Sequence, residues 1–251
     1  MTKKKIVLIG ASGILGSYFY SQLKKNKKIN LIIGADKKIN KKFSSKIKIL
    51  NLDITNSLDV ENFFKKLKEK YGKFDCLINA AGFTIEGSLK EKKISNDFFD
   101  DKNWKNNIDI NLNGVFYCMK NFIKFHNNEK KIQKIITIGS IYGTKSPDHA
   151  IYNDENFFTP IGYSASKAAL LGLNSWVANK YGSKKILVNI LSPGGVFNNH
   201  SKKFEKKYIK RVSLKRMASK EDVYGSLEFL LSEKSNYING ANIQVDGGYA
   251  L

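Results

Sequence analysis

The sequence predicts an α/β fold: one doubly wound parallel sheet of about seven strands with helices on both faces. Three observations carry that expectation. Short β-branched runs alternate with longer stretches of helical period along all 251 residues, the rhythm of repeated β-α-β units. The runs are apolar throughout, without the in-out alternation of a half-solvated sheet, so both sheet faces are to be covered. The first run leads into a glycine-rich turn at the head of a helix. No repeat, proline-rich linker or shift of composition divides the chain, which reads as a single domain over 1–251.

Taken in order, a strand at 6–9 (IVLI) precedes a helix near 15–25, and a strand at 31–33 (LII) is followed by another at 47–50. A helix over 57–70 leads to a strand at 76–78, and a long helical stretch over 104–125 to a strand at 135–138. A helix over 164–181 precedes the strand at 187–190, and one over 220–231 the last strand at 243–245. The less regular segments, 84–103, 141–161 and 194–218, follow strands or precede helices. In such sheets that is where ligand-contacting loops lie.

Hydrophobic residues make up 42% and aromatics 12%, the composition of a globular chain and not of a disordered one. The apolar runs are far shorter than the ~18–20 residues that span a bilayer. MTKKK leads straight into a strand without a cleavage site. Cys76 and Cys118 lie in unrelated segments with no disulfide or zinc spacing. The expected compartment is the cytoplasm, with no membrane contact. A net charge of +21 would attract phosphates or nucleic acid. The lysines, however, are spread along nearly the whole chain beside abundant isoleucine and asparagine, a compositional bias without a nucleic-acid motif. No nucleic-acid partner is expected; the field would help an anionic substrate approach.

IVLIGASGILG ends the first strand with glycines at 10, 13 and 16. Such a turn lets backbone approach a pyrophosphate, which the N–H groups and positive end of the next helix attract. Gly10, Ser12, Gly13, Ile14, Leu15 and Gly16 are the candidate contacts. Asp36 arrives just past the second strand, where a carboxylate accepts hydrogen bonds from an adenosine ribose and repels a 2′-phosphate, favouring NAD. Lys37 and Lys38 follow at once and offset part of that repulsion, so NADP stays admissible. NLDIT places Asp53 and Ile54 where an adenine would meet a carboxylate and an apolar side chain. LINAAG leaves room against the backbone at Ala80, Ala81 and Gly82, whereas Asn79 serves either the coenzyme or the tie between neighbouring strands.

GYSASKAAL puts Tyr163 and Lys167 one helical turn apart on one face. They are either an acid–base pair or an exposed pair worth a few tenths of a kcal/mol. Hydride transfer to or from a carbinol carbon requires a proton to move at its oxygen. A phenol, with a pKa of about 10, needs roughly 3–4 kcal/mol of phenolate stabilisation to do this near neutrality, and a neighbouring ammonium is a source of it.

The glycine turn, NAAG, IDINLNG, ITIGS, YSASK, LSPGGV and VDGGY occur in that order, and the chain resembles the short-chain dehydrogenase/reductase family from Ile6 to Leu251. The resemblance implies a Rossmann-type dinucleotide-binding sheet and a catalytic tetrad. Asn111 positions a relay water, Ser140 holds the reacting oxygen, Tyr163 is acid/base, and Lys167 is its electrostatic partner and ribose anchor. Pro193, Gly194 and Val196 fall where the family approaches the nicotinamide amide, while Asn198 stands where many members carry threonine. The glycine spacing is that of the family's extended members, whose C-terminal substrate region is not found here. Ser140 and Tyr163 stand twenty-three residues apart, further than in compact members, so 141–161 holds an insertion beside the site.

The insertion, SPGGVFNN and the C-terminal YINGANIQVDGGYAL resemble oxidoreductases of bacterial surface-polysaccharide and flagellin-glycan pathways. That likeness implies a sugar phosphate or nucleotide-linked sugar, interconverted between secondary alcohol and ketone, in a homodimer or homotetramer. HSKKFEKKYIKR has two readings of equal standing: Phe204 and Tyr208, four apart, face the cleft with the surrounding lysines available to a phosphate, or the segment is a mobile lid with a solvated basic face. His126, His149 and His200 show no ligand spacing, and no metal is assigned. The rival readings are a 3-oxoacyl-thioester ketone reductase and a dinucleotide-sensing module without turnover.

Overall fold

The computed structural model describes residues 3–39, 49–84, 99–153, 155 and 157–251. Its seven strands form one sheet in which every neighbouring pair is parallel. In chain order these are β1 (Lys4–Ile9), β2 (Ile29–Asp36), β3 (Ile49–Asn51), β4 (Cys76–Asn79), β5 (Gln133–Ile138), β6 (Ile186–Pro193) and β7 (Asn242–Val245). The α-helices among the described residues are α1 (Ile14–Lys25), α2 (Ser57–Tyr71), α3 (Asp101–Ile108), α4 (Gly114–His126), α5 (Ile161–Tyr181), α6 (Lys202–Arg211) and α7 (Lys220–Leu231). The order across the sheet is β3-β2-β1-β4-β5-β6-β7. The order reverses at β1, whose neighbours are β2 and β4, and a crevice at such a switch point is where ligands of open α/β sheets bind.

Every residue of β4, β5 and β6 is buried, which is why these strands read as unbroken apolar runs. The edge strands β3 and β7 are only partly covered. On one face, α2 contributes Val60, Phe63, Phe64 and Leu67, and α4 contributes Val115, Cys118, Met119 and Phe122. Both sets follow the i, i+3, i+4, i+7 spacing of an apolar stripe, and each fully buried side chain contributes roughly 1.5–3 kcal/mol. On the other face, Phe19, Tyr20 and Leu23 of α1 meet Val223, Leu227 and Leu230 of α7.

His126 belongs to this core. Its Nδ1 accepts from Phe74 N at 3.3 Å, its Nε2 pairs with Phe64 O at 3.1 Å, and burial pushes its pKa down to about 4. It is a neutral structural imidazole. Cys76 and Cys118 are both buried free thiols. Among the described residues no helix is long and apolar enough to cross a membrane, and no group of three His, Cys, Asp or Glu could hold a metal ion.

Two sequence expectations change here. The stretch 104–125 is not one regular helix: a π turn, Asp109–Asn113, separates α3 from α4. The basic segment after β6 contains an ordered helix, α6, whose Ser201 Oγ accepts from Phe204 N as its N-cap. Residues 47 and 48 of the expected third strand lie outside the described residues, as does most of 84–103.

Candidate active site

The site is built where the carboxyl ends of β1 and β4 meet. Gly10 sits at φ 79°, and a Cβ there would stand 2.3 Å from Ala81 N; only glycine fits. A Cβ at Gly16 would stand 2.0 Å from Gly10 O, and Gly13 N donates to that same oxygen at 3.1 Å. The three glycines therefore fold the turn onto itself and press α1 against the sheet. Asp36, at the end of β2, holds the turn from the side: its Oδ2 accepts from Ser12 N at 2.9 Å and its Oδ1 from Lys38 N at 3.1 Å. Ile14 at the head of α1 is exposed, while Leu15 packs against the core.

Asp53 is engaged by Lys37, whose Nζ lies 2.6 Å away, and by Thr55. Burial alone would raise its pKa, but the hydrogen bonds from Lys37 and Thr55 outweigh that and hold it below the usual carboxylate value. Ile54 is buried and fills the space left by Gly114, where a Cβ would come within 2.6 Å of it. Asn79 ties β4 to β5 through Thr137 Oγ1 at 3.4 Å, yet its Oδ1 is buried without a partner, as is Ser12 Oγ. Unpaired buried acceptors are costly, and here they flank a cradle that any Cβ would fill. A dinucleotide fits these residues: turn amides for phosphates, Asp36 for a ribose, Ile54 for a base.

The side chains expected to be reactive gather past this cradle. A Cβ on Gly82 would lie 3.7 Å from Asn111 Oδ1 and 3.8 Å from Lys167 Nζ, so both polar groups converge over the end of β4. Asn111 is wholly buried in the π turn, a distortion frequent at functional sites. Its Oδ1 accepts from Phe83 N at 2.7 Å, and its Nδ2 lies within reach of Phe83 O, Asn107 Oδ1 and Ser166 Oγ at 3.0, 3.1 and 3.2 Å. Helix α5 begins at the N-cap Pro160 and presses Gly162 onto Trp104 and Asn107 of α3. Tyr163 and Lys167 follow on it, the Lys167 Nζ 5.6 Å from the centre of the phenol ring.

Lys167 is 5% exposed and donates to Ile138 O at 2.9 Å; burial brings its pKa down to about 8. An ammonium beside a phenol favours the phenolate over the neutral form. Ser140 closes β5 and caps the turn Ile141–Gly143 through Tyr142 N at 3.1 Å. That turn rests on α5, since a Cβ on Gly143 would lie 2.8 Å from Lys167 O. Beyond β6, Gly194 N donates to Val245 O at 3.0 Å, and Val196 bridges to Ala218; Pro193 is buried.

Phe204 and Tyr208 do not face the cleft. They are buried with Ile151, Tyr152, Phe158, Val212 and Met217 in a third hydrophobic cluster, because the apolar side of α6 docks on the insertion while Lys202, Lys203, Lys206 and Lys210 stay exposed. Tyr208 reaches back to accept a hydrogen bond from Gly195 N and stacks on Tyr249 at 5.0 Å. His200 stacks on Phe204 at 5.1 Å, and His149 is exposed at the start of a short helical turn. Sequence reasoning missed Ser166, Tyr142, Tyr152 and the Ile138 carbonyl, all partners brought in by tertiary contact.

Residues 33–250 match the family model described as Enoyl-(Acyl carrier protein) reductase. The chain is 35% identical over 198 residues to a 3-oxoacyl-[acyl-carrier-protein] reductase, FabG, of Buchnera aphidicola subsp. Schizaphis graminum, covering 76% of this chain and 73% of that one. It is 27% identical to the post-translational flagellin modification protein A of Campylobacter coli over the whole of both chains. Its structure superposes on a short chain dehydrogenase from Leptospira borgpetersenii serovar Hardjo-bovis with bound NAD+, at TM-score 0.86 and 30% identity, covering 100% of this chain and 94% of that one.

Proposed function

The chain belongs to the short-chain dehydrogenase/reductase family, and from that premise we propose that it interconverts a secondary alcohol and a ketone on a sugar phosphate or nucleotide-linked sugar, in the assembly of a surface glycan. The observation that carries the reaction is the meeting of Asn111 and Lys167 over Gly82, with Tyr163 on the same helix as Lys167. When bound, a nicotinamide coenzyme supplies the hydride acceptor or donor. The chain supplies the rest. Tyr163 takes the proton from the carbinol oxygen or returns it to the carbonyl oxygen, Lys167 stabilises the phenolate, Ser140 orients the oxygen, and Asn111 positions a proton-relaying water.

NAD is the preferred coenzyme. Asp36 is fixed beside the turn, and Lys37, which would welcome a 2′-phosphate, is turned to Asp53. The exposed lysines of α6 add to the positive field of a chain of net charge +21, which would draw an anionic carbohydrate as substrate. The protein works in the cytoplasm as a homodimer or homotetramer; large exposed aromatics on α3, α4 and α5, namely Trp104, Phe116 and Trp176, support a subunit contact there.

A second reading, reduction of a 3-oxoacyl thioester, is favoured by the relative at 35% identity. A panel of sugar phosphates, nucleotide-linked sugars and 3-oxoacyl thioesters, followed by NADH absorbance, separates the two. Turnover of sugars alone is expected, and turnover of thioesters alone would overturn the reading. Tyr163→Phe is expected to lower turnover at least a thousandfold while NADH affinity stays within about threefold. Retained turnover would remove Tyr163 from the chemistry.

A further inference from the structure

We propose that Tyr152 is a positioning residue that staples the two ends of the insertion, so that Ser140 and Tyr163 keep a fixed separation across an unusually long connection. The proposal rests on the reading of those two residues as reactive groups, and it names what in this chain holds them in register. Ser140 lies two residues past the end of β5 and Tyr163 in the first turn of α5. A 1 Å displacement between such groups is enough to cost about a hundredfold in rate.

Tyr152 closes a short helical turn, His149–Tyr152, and is 8% exposed. Its hydroxyl meets Tyr142 Oη at 3.0 Å and Thr159 Oγ1 at 2.7 Å. Each leads to one reactive end. Tyr142 N donates to Ser140 Oγ at 3.1 Å. Thr159 precedes Pro160, the N-cap of α5, whose carbonyl accepts from Tyr163 N at 3.0 Å. One buried oxygen thus joins the strand end carrying Ser140 to the helix start carrying Tyr163.

The hydroxyl is itself held. The Tyr152 ring lies 5.7 Å from both Phe157 and Phe204. Outside the ring cluster, Ser201 Oγ donates to Glu155 at 2.7 Å, and Arg211 Nη2 lies 2.7 Å from Asp148 Oδ2 as an ion pair without hydrogen-bond alignment. Helix α6 therefore backs the ring that aims the staple, and a hydrogen bond so enclosed is worth more than one exposed to water.

Tyr152→Phe keeps the ring and removes only the oxygen. Amide hydrogen exchange at Tyr142, Gly143 and Tyr163, without any substrate, is expected to accelerate about tenfold at both ends together, while NADH affinity by fluorescence titration stays within twofold. Thr159→Val, which cuts one arm, is expected to release Tyr163 alone, and it also serves should Tyr152→Phe lose its fold. Unchanged exchange at both ends, or acceleration confined to α6, would overturn the staple. On any substrate the native enzyme turns over, Tyr152→Phe is expected to lower kcat more than tenfold with KM for NAD unchanged; a change in KM alone counts against it. If the native protein turns over nothing in the panel, the functional reading fails while exchange still decides the staple.

Discussion

The β1–β4 crevice, proposed to take the coenzyme, and the insertion with α6, proposed to border the substrate, are held by different kinds of contact. Around the β1–β4 crevice the fit is between backbones: Gly10 against Ala80 and Ala81, Gly16 against Gly10, Asp36 against two turn amides. Around the insertion and α6 the fit is between side chains: Tyr142, Tyr152, Phe157, Phe204, Tyr208 and Tyr249, edge-on, tilted or stacked. A backbone fit has no slack, because no rotamer can relieve a misplaced Cβ. A ring cluster yields by repacking, at a cost of a few kcal/mol. The half proposed to bind the coenzyme is thus rigid to single atoms, and the half proposed to choose the substrate tolerates revision.

The sharpest way to break the comparison is Gly10→Ala. Left-handed backbone costs an alanine roughly 1–2 kcal/mol, and the clash with Ala81 N at 2.3 Å forces β1 and β4 apart at the point where the dinucleotide would lie. NADH affinity, read by fluorescence titration, is expected to fall at least about a thousandfold, taking strain and lost contacts together. Gly225→Ala is the control. That glycine lies in α7 with nothing within 4 Å of a Cβ, so alanine there is expected to leave affinity unchanged and add up to about 1 kcal/mol of stability. Equal losses from both substitutions would mean that the crevice is not a backbone cradle.

The same contrast explains what was legible in the sequence. Strands β1, β4, β5 and β6 announce themselves because burial on both faces leaves only apolar choices. The glycine turn does so because close approach and positive φ leave only glycine. Tyr163 and Lys167 share a helix face by local spacing alone. The π turn at Asp109–Asn113 carries no comparable signal: Asn111 is placed by Phe83, Asn107 and Ser166, residues up to 55 positions away. Phe204 and Tyr208 were readable as one face of a helix. Whether that face met the cleft or the insertion depended on tertiary contacts that periodicity does not encode.

A middle-sized effect tests the side-chain half. Phe204→Ala removes the ring that touches Tyr152, Phe157, His200 and Tyr208, at a cost of about 3 kcal/mol. Helix α6 carries five lysines and an arginine, so trypsin reports its opening directly. Cleavage within α6 is expected to speed up by about a hundredfold, as local opening becomes that much more populated, while NADH affinity stays within twofold. Coenzyme affinity falling in step with cleavage would show that the two halves are one cooperative unit.

The smallest effect lies where the halves meet, at Lys167. Its pKa, brought down to about 8 from the ordinary 10.5 by burial, means that between those values the unfolded chain keeps a proton the folded chain has released. Stability therefore rises with pH across that window, and below about pH 8 the full cost of burying the ammonium is present. That cost is about 3 kcal/mol at roughly 1.4 kcal/mol per pKa unit, set against the hydrogen bond to Ile138 O, worth about 1 kcal/mol. Lys167→Met is thus expected to be more stable than the native protein by about 2 kcal/mol at pH 7, by urea unfolding, and inactive. The gain is expected to shrink as pH rises from 8 towards 10.5, because the native lysine then gives up its charge. A gain that held constant over that range would mean that the ammonium carries no burial cost. A loss of stability at pH 7 would make Lys167 a structural strut first, and its charge a secondary matter.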